Sequence, residues 1–197
     1  GMAYCMISMV LTRMVSGFGA EAIATQRVGG QIESVSWNTA DGFGAALNAF
    51  IGQNYGAGKM DRVKKGYRAS LITVGVWGLF ITLLFVCFPE QISGVFFHEP
   101  TAIATAVGYM IIIGYSEAFM SVELMTVGAL SGLGKTHLCS VISITLTSAR
   151  IPLAIFLSGT ALGLLGIWWA LTATSVVKGI VFVMAFYWIM ARMRNSK

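Results

Sequence analysis

Charge is scarce in this chain: Asp, Glu, Lys and Arg make up 11% of 197 residues, against 56% hydrophobic residues. A water-soluble domain is about a quarter charged, so that class is excluded. Cysteine is scarce too. Cys5, Cys87 and Cys139 are odd in number and embedded in apolar stretches, which reads as buried packing rather than a disulfide framework. The two histidines, His98 and His137, have no partner spacing, so no metal site is expected. No nucleophile–base pair points to an enzyme. The net charge of +5 does not indicate nucleic acid, because most of the thirteen basic residues lie in or beside loops and at the C-terminus.

What is present is length without charge. Residues 69–88 form a twenty-residue run with no charged side chain, directly after Lys59, Arg62, Lys64, Lys65 and Arg68. As a helix that run spans about 30 Å, the thickness of a bilayer's hydrocarbon core. Mean hydropathy over the whole chain is +0.78. Six spans follow, at Met2–Val15, Ala22–Tyr55, Tyr67–Phe88, Thr101–Leu130, His137–Leu157 and Leu162–Ala191. Glycine pairs, Pro89 and the Glu99-Pro100 step punctuate them. Basic segments (Lys59–Arg68, Lys135, and the tail Arg192, Arg194, Lys197) alternate with turns holding Glu90, His98 and Glu99. The positive-inside rule then puts the basic segments and both termini in the cytoplasm of a multi-pass cell-membrane protein. The leading Gly1-Met2 reads as a cloning remnant, and the abrupt apolar start reads as part of something longer.

Small-residue spacing recurs at Gly52/Gly56, Gly128/Gly132 and Gly159/Gly163, all near helix ends. End-capping is the expected role, with close helix approach as the alternative. Gly132-Leu133-Gly134-Lys135-Thr136 imitates a phosphate loop but has Ala129 where the motif needs its first Gly, and it follows a membrane helix. Trp168-Trp169 is expected in the interfacial aromatic belt.

Seven charged residues fall within the spans away from their mouths: Arg13, Glu33, Asp41, Glu117, Glu123, Arg150 and Lys178. Each costs about 2.5–3.5 kcal/mol at a helix centre, so each needs a partner or a task. Ion pairs that fix packing are one account, with Arg13, Arg150 and Lys178 as the basic partners. The other is a cation pathway. Glu33, Trp37 and Asp41 are four apart on one helix face with Asn48 near that line, and Gln31 and Asn38 add polarity. Such a helix lines a cavity or a neighbour, not lipid. Glu117 and Glu123 are six apart and do not share a face, so one is free to pair while the other meets the cavity. Carboxylates held in a membrane bind protons or Na⁺, and each charge moving inward releases about 2.3 kcal/mol per 100 mV.

Ala24-Thr25-Gln26-Arg27-Val28-Gly29-Gly30-Gln31-Ile32-Glu33-Ser34 leads to Ile51-Gly52-Gln53-Asn54-Tyr55-Gly56-Ala57-Gly58 before the basic segment. Gly128-Ala129-Leu130-Ser131-Gly132-Leu133-Gly134-Lys135-Thr136 and Arg150-Ile151-Pro152-Leu153 follow. With these motifs the whole chain resembles the C-terminal half of the multidrug and toxic compound extrusion (MATE) transporters. The resemblance implies two six-helix lobes that alternate between inward- and outward-open states, exporting organic cations and other amphipathic compounds in exchange for Na⁺ or H⁺. Acidic residues of some members map near Ala3 or Tyr4, where this chain has none, and near Met120, which Glu117 and Glu123 flank.

The expectation is an all-α membrane protein. Residues 1–197 form a single six-helix bundle, one lobe of a twelve-helix MATE-like transporter whose N-terminal lobe is absent. The cation-coupling candidates are Glu33, Asp41, Glu117 and Glu123, and the pathway-lining candidates are Gln31, Trp37, Asn38 and Asn48. No cofactor is expected beyond the coupling ion. The partners are the lipid bilayer, an N-terminal lobe or a second copy, and a small amphipathic substrate, with aromatic and Met side chains holding its apolar part. The alternatives are a lipid-linked flippase, which favours a cavity richer in Arg and Lys, and a non-transporting scaffold.

Overall fold

The computed structural model describes residues 2–195; Gly1, with its cloning-remnant reading, and the tail charge Lys197 lie outside the described residues. The described chain forms the helices α1 (Met2–Ser16), α2 (Ala20–Gly56), α3 (Met60–Cys87), α4 (Pro89–Phe96), α5 (Pro100–Gly132), α6 (Thr136–Ser148), α7 (Arg150–Ser158) and α8 (Leu164–Asn195). Each of the six expected spans is helical, with α6 and α7 together making the fifth. Four stretches are long and apolar enough to cross a membrane: α3, α5, Thr136–Ser158 and α8. The 15-residue α1 is shorter, and the 37-residue α2 is longer but carries the polar middle read above.

Two boundaries differ from expectation. α3 begins at Met60 rather than Tyr67, so the basic segment is its first turns and not a loop. Lys and Arg are strong helix formers, and Gly58 at φ +70° turns the chain within three residues. After Phe88, Pro89 opens the short helix α4, because a proline without an N–H fits a first helical turn.

α5 is the central helix, packed against α2, α3 and α8. Its links run it parallel to α2 and α8 and antiparallel to α3. Thr105 donates to Glu21 of α2 (2.9 Å), Tyr67 of α3 bonds Thr126 (3.0 Å), and Thr172 of α8 donates to the Ile112 carbonyl (2.7 Å). Basic α3 and α8 ends therefore share one mouth of the bundle with the α5–α6 turn. One hydrophobic core gathers there around Tyr67, Met125 and Phe186, and a second joins α1, α7 and α8. At the α5–α6 turn, Gly134 takes φ +75°, so the Gly-Leu-Gly-Lys-Thr stretch is a helix-to-helix turn.

Gly128/Gly132 is a contact surface rather than a cap. A Cβ on Gly128 would stand 2.1 Å from the Gly44 carbonyl oxygen, and one on Gly132 2.6 Å from that of Asn48. Without a hydrophobic drive between helices in lipid, such close backbone approach is what holds α2 on α5. Gly128→Val is expected to push α2 off α5 and to cost about 1–3 kcal/mol or more of stability, seen as a lower unfolding midpoint in detergent. An unchanged midpoint would refute the contact.

Candidate functional site

A cleft opens between α1, α2, α5, α6, α7 and the first half of α8. Two joined cavities, about 230 Å³ and 510 Å³, share Tyr4, Ile7, Trp37, Met120, Thr147 and Arg150 in their walls. Glu33 lies at the end of the smaller one, and Glu123 with Lys178 lies in the larger.

The break between α6 and α7 builds one wall. Pro152 has no N–H for the Ser148 carbonyl, and the helix is interrupted at Ala149. Arg150 follows at the start of α7, half-buried, and its guanidinium reaches across to α8. Nε donates to Thr174 Oγ1 (2.8 Å) and Nη2 to Ser175 Oγ (2.9 Å). Its charge meets hydroxyls, with no carboxylate within 4 Å among the described residues. It remains within electrostatic reach of Glu33 and Glu123.

Glu33 is buried on α2 and accepts a hydrogen bond from Tyr109 Oη of α5. Tyr109 approaches because Gly29, one turn before Glu33, has no side chain: a Cβ there would stand 2.1 Å from the Tyr109 ring. The tyrosine is braced edge-on by Trp168, whose Nε1 donates to Gln26 (3.4 Å). Trp168 is 0% exposed, so it belongs to this support and not to the aromatic belt; Trp169, partly exposed, stacks on Tyr115. The local sequence gave no signal separating these adjacent tryptophans, since only the rotation of α8 does so.

Glu117 is 1% exposed at the middle of α5. Its Oε1 makes no hydrogen bond among the described residues, Ser36 of α2 lies beside it, and it feels the charge of Glu33. Glu123 has a different fate. It forms a buried ion pair with Lys178 Nζ of α8 at 2.7 Å. The six-residue offset on α5 divides the two acids, but against expectation the paired Glu123 lines the larger cavity and the unpaired Glu117 lines neither.

The remaining candidates scatter. Trp37 and Met120 line both cavities. Asp41, Gln31, Asn38 and Asn48 are exposed on α2 and line neither, and Arg13 is exposed in the last turn of α1. The line of Glu33, Trp37 and Asp41 drifts by about 40° around the helix at each step of four, so Asp41 turns out of the arc of Ala40, Gly44, Leu47 and Ile51, which stays buried. Sequence reasoning passed over Tyr109, Tyr4 and Thr147 as cleft residues; only Tyr109 had a signal, as a polar-tipped aromatic in an apolar helix. Cys5 and Cys87 are exposed, correcting the packing role expected of them; Cys139 alone is buried, and all three are free thiols.

The described residues thus form an all-helical bundle, with four stretches able to cross a membrane, around an open cleft. The MatE family model matches residues 2–156, and this chain belongs to the MatE family. The Probable multidrug resistance protein NorM of Thermotoga maritima is 29% identical over 170 residues, covering 85% of this chain and 37% of that protein. The NorM protein of Pseudomonas aeruginosa is 28% identical, covering 93% of this chain and 39% of its own length. The crystal structure of a MATE protein in the straight conformation superposes with a TM-score of 0.90 at 17% identity, over 98% of this chain and 44% of that one. The chain thus spans about 40% of the length of these curated relatives.

Proposed function

We propose that this chain is one six-helix lobe of a cation-coupled exporter of organic cations and other amphipathic compounds, completed by a second lobe across the open face of the cleft. The relatives' names support the export of drugs, and their greater length supports the second lobe. Alternating access works by rocking one repeat against the other around a shared site. The basic mouth and both termini face the cytoplasm in this reading.

The observation that carries the coupling assignment is the pair Glu33 and Glu117, two buried carboxyl groups with no cation within 4 Å among the described residues. Buried carboxylates need a compensating charge, and the exchangeable one here is Na⁺ or a proton. Glu123 is already compensated by Lys178 and takes a structural part, and Asp41 lies outside the cleft. Trp37, Met120 and Tyr4 supply the apolar and π surface for an amphipathic guest. Of the cleft's two basic groups Lys178 is neutralised, which leaves too little positive charge for the phosphates of a flippase substrate.

The test is efflux of a fluorescent organic cation from proteoliposomes holding the full natural protein, under imposed Na⁺ or pH gradients. Gradient-driven efflux supports the reading and names the ion. Efflux indifferent to both gradients would overturn the coupling, and no efflux at all would overturn the export.

A further inference from the structure

A second groove lies on the outside of the bundle at the basic mouth, away from the cleft. α3 and α8 meet there through side chains: Tyr67 stacks on Phe186 with ring centroids 3.6 Å apart. Beyond that stack the space between the α3 start and the α8 end stays open, as a cavity of about 670 Å³. Its rim carries Lys59, Arg62, Lys64 and Arg194 against a single acid, Asp61. Its floor is apolar, of Met60, Met190 and Met193. The groove continues inward through a smaller cavity that shares Lys64 and Met190 and adds Arg68, Phe186 and Tyr187.

Three features define the guest. The rim cations are exposed and form no ion pair within 4 Å among the described residues, so the groove presents unmatched positive charge. The apolar floor runs on along the stack toward the membrane-spanning parts of α3 and α8, which a soluble anion does not need. The α8 end of the groove carries exposed aromatic rings of the kind that gather at a membrane–water interface. Tyr187 and Trp188 are exposed beside it, and Trp188 holds Arg192 at 5.4 Å over its ring. Basic pockets between membrane helices hold anionic head groups in this way.

We infer that the α3–α8 groove is a binding site for an anionic glycerophospholipid, its phosphate held by Arg62, Lys64 and Arg194 and its acyl chains lying along the methionine and aromatic floor. Lys64 belongs to both cavities and sits where headgroup and chains meet. A lipid held there bridges the first turns of α3 to the last turns of α8.

The experiment is native mass spectrometry of the chain released from detergent after incubation with phosphatidylglycerol or phosphatidylcholine. Phosphatidylglycerol is expected to be retained about tenfold better than phosphatidylcholine. The variant Arg62→Gln/Lys64→Gln/Arg194→Gln is expected to lose that preference with helical circular dichroism unchanged. A control with the same charge loss elsewhere, Arg13→Gln/Arg27→Gln/Lys135→Gln, is expected to keep it. Equal retention of the two lipids overturns the inference, as does equal loss in the control, which would mean that only net charge matters. Displacement by excess inorganic phosphate also overturns it, in favour of a free-anion site. Should the triple variant lose helicity, Lys64→Gln alone serves: an unchanged preference refutes the site and a weakened one supports it.

Discussion

Replacing Glu33 by Gln is expected to reduce gradient-driven efflux to the background of empty liposomes. The amide keeps the shape and still accepts the Tyr109 hydrogen bond, but it carries no charge to hold Na⁺ and takes up no proton. Glu33→Asp keeps the charge on a shorter stem and is expected to retain part of the flux. Tyr109→Phe removes one hydrogen bond to a charged group, about 1.5–3 kcal/mol, and is expected to weaken coupling by roughly tenfold without abolishing it. The measurement is substrate efflux by the full natural protein under separately imposed Na⁺ and pH gradients, with membrane insertion checked for each variant. Wild-type flux in Glu33→Gln would remove this residue from the coupling assignment and leave Glu117 as the remaining candidate.

The second large effect is expected at Lys178. Lys178→Met leaves Glu123 buried without its partner, a change that costs about 3–5 kcal/mol when a buried pair is broken from one side. The same principle gives an asymmetric signature. The double variant Lys178→Met/Glu123→Leu removes both charges and is expected to recover most of the lost stability, because the desolvation of both ions disappears with them. Unfolding midpoints in detergent for the two singles and the double complete the cycle. If Lys178→Met melts like the unmodified protein, the pair is not compensating a buried charge.

Glu123 and Glu117 show how far the sequence reached. Their six-residue spacing on an α-helix already required them to point apart, and the structure gives one to Lys178 and leaves the other without a cation. Which acid took which part was not legible, because Lys178 lies on another helix and spacing within one helix says nothing of its neighbours. Gly128 and Gly132 were visible as a small-residue pair but were read as caps. Gly44, which makes them a contact, lies on α2, and their partner became known only once α2 and α5 were side by side. Trp168 and Trp169 were indistinguishable neighbours until the rotation of α8 buried the first against Tyr109.

The sequence by itself determined the solvent and the all-helical class. A chain this poor in charge belongs in lipid, where backbone groups must bond within helices or closed barrels, and an uncharged run of about twenty residues has the length of a helix and not of a strand. It also determined which residues are costly enough to need a reason. Only the tertiary structure decided the reasons. It put Glu33 under Tyr109, paired Glu123 with Lys178, turned Arg150 toward Thr174 and Ser175, and left Asp41 outside. Hydrophobic periodicity and charge are properties of one helix and can be read along it. Partnership depends on the rotation and register of two helices, which packing sets through close contacts such as Gly44 on Gly128, and which no single segment encodes.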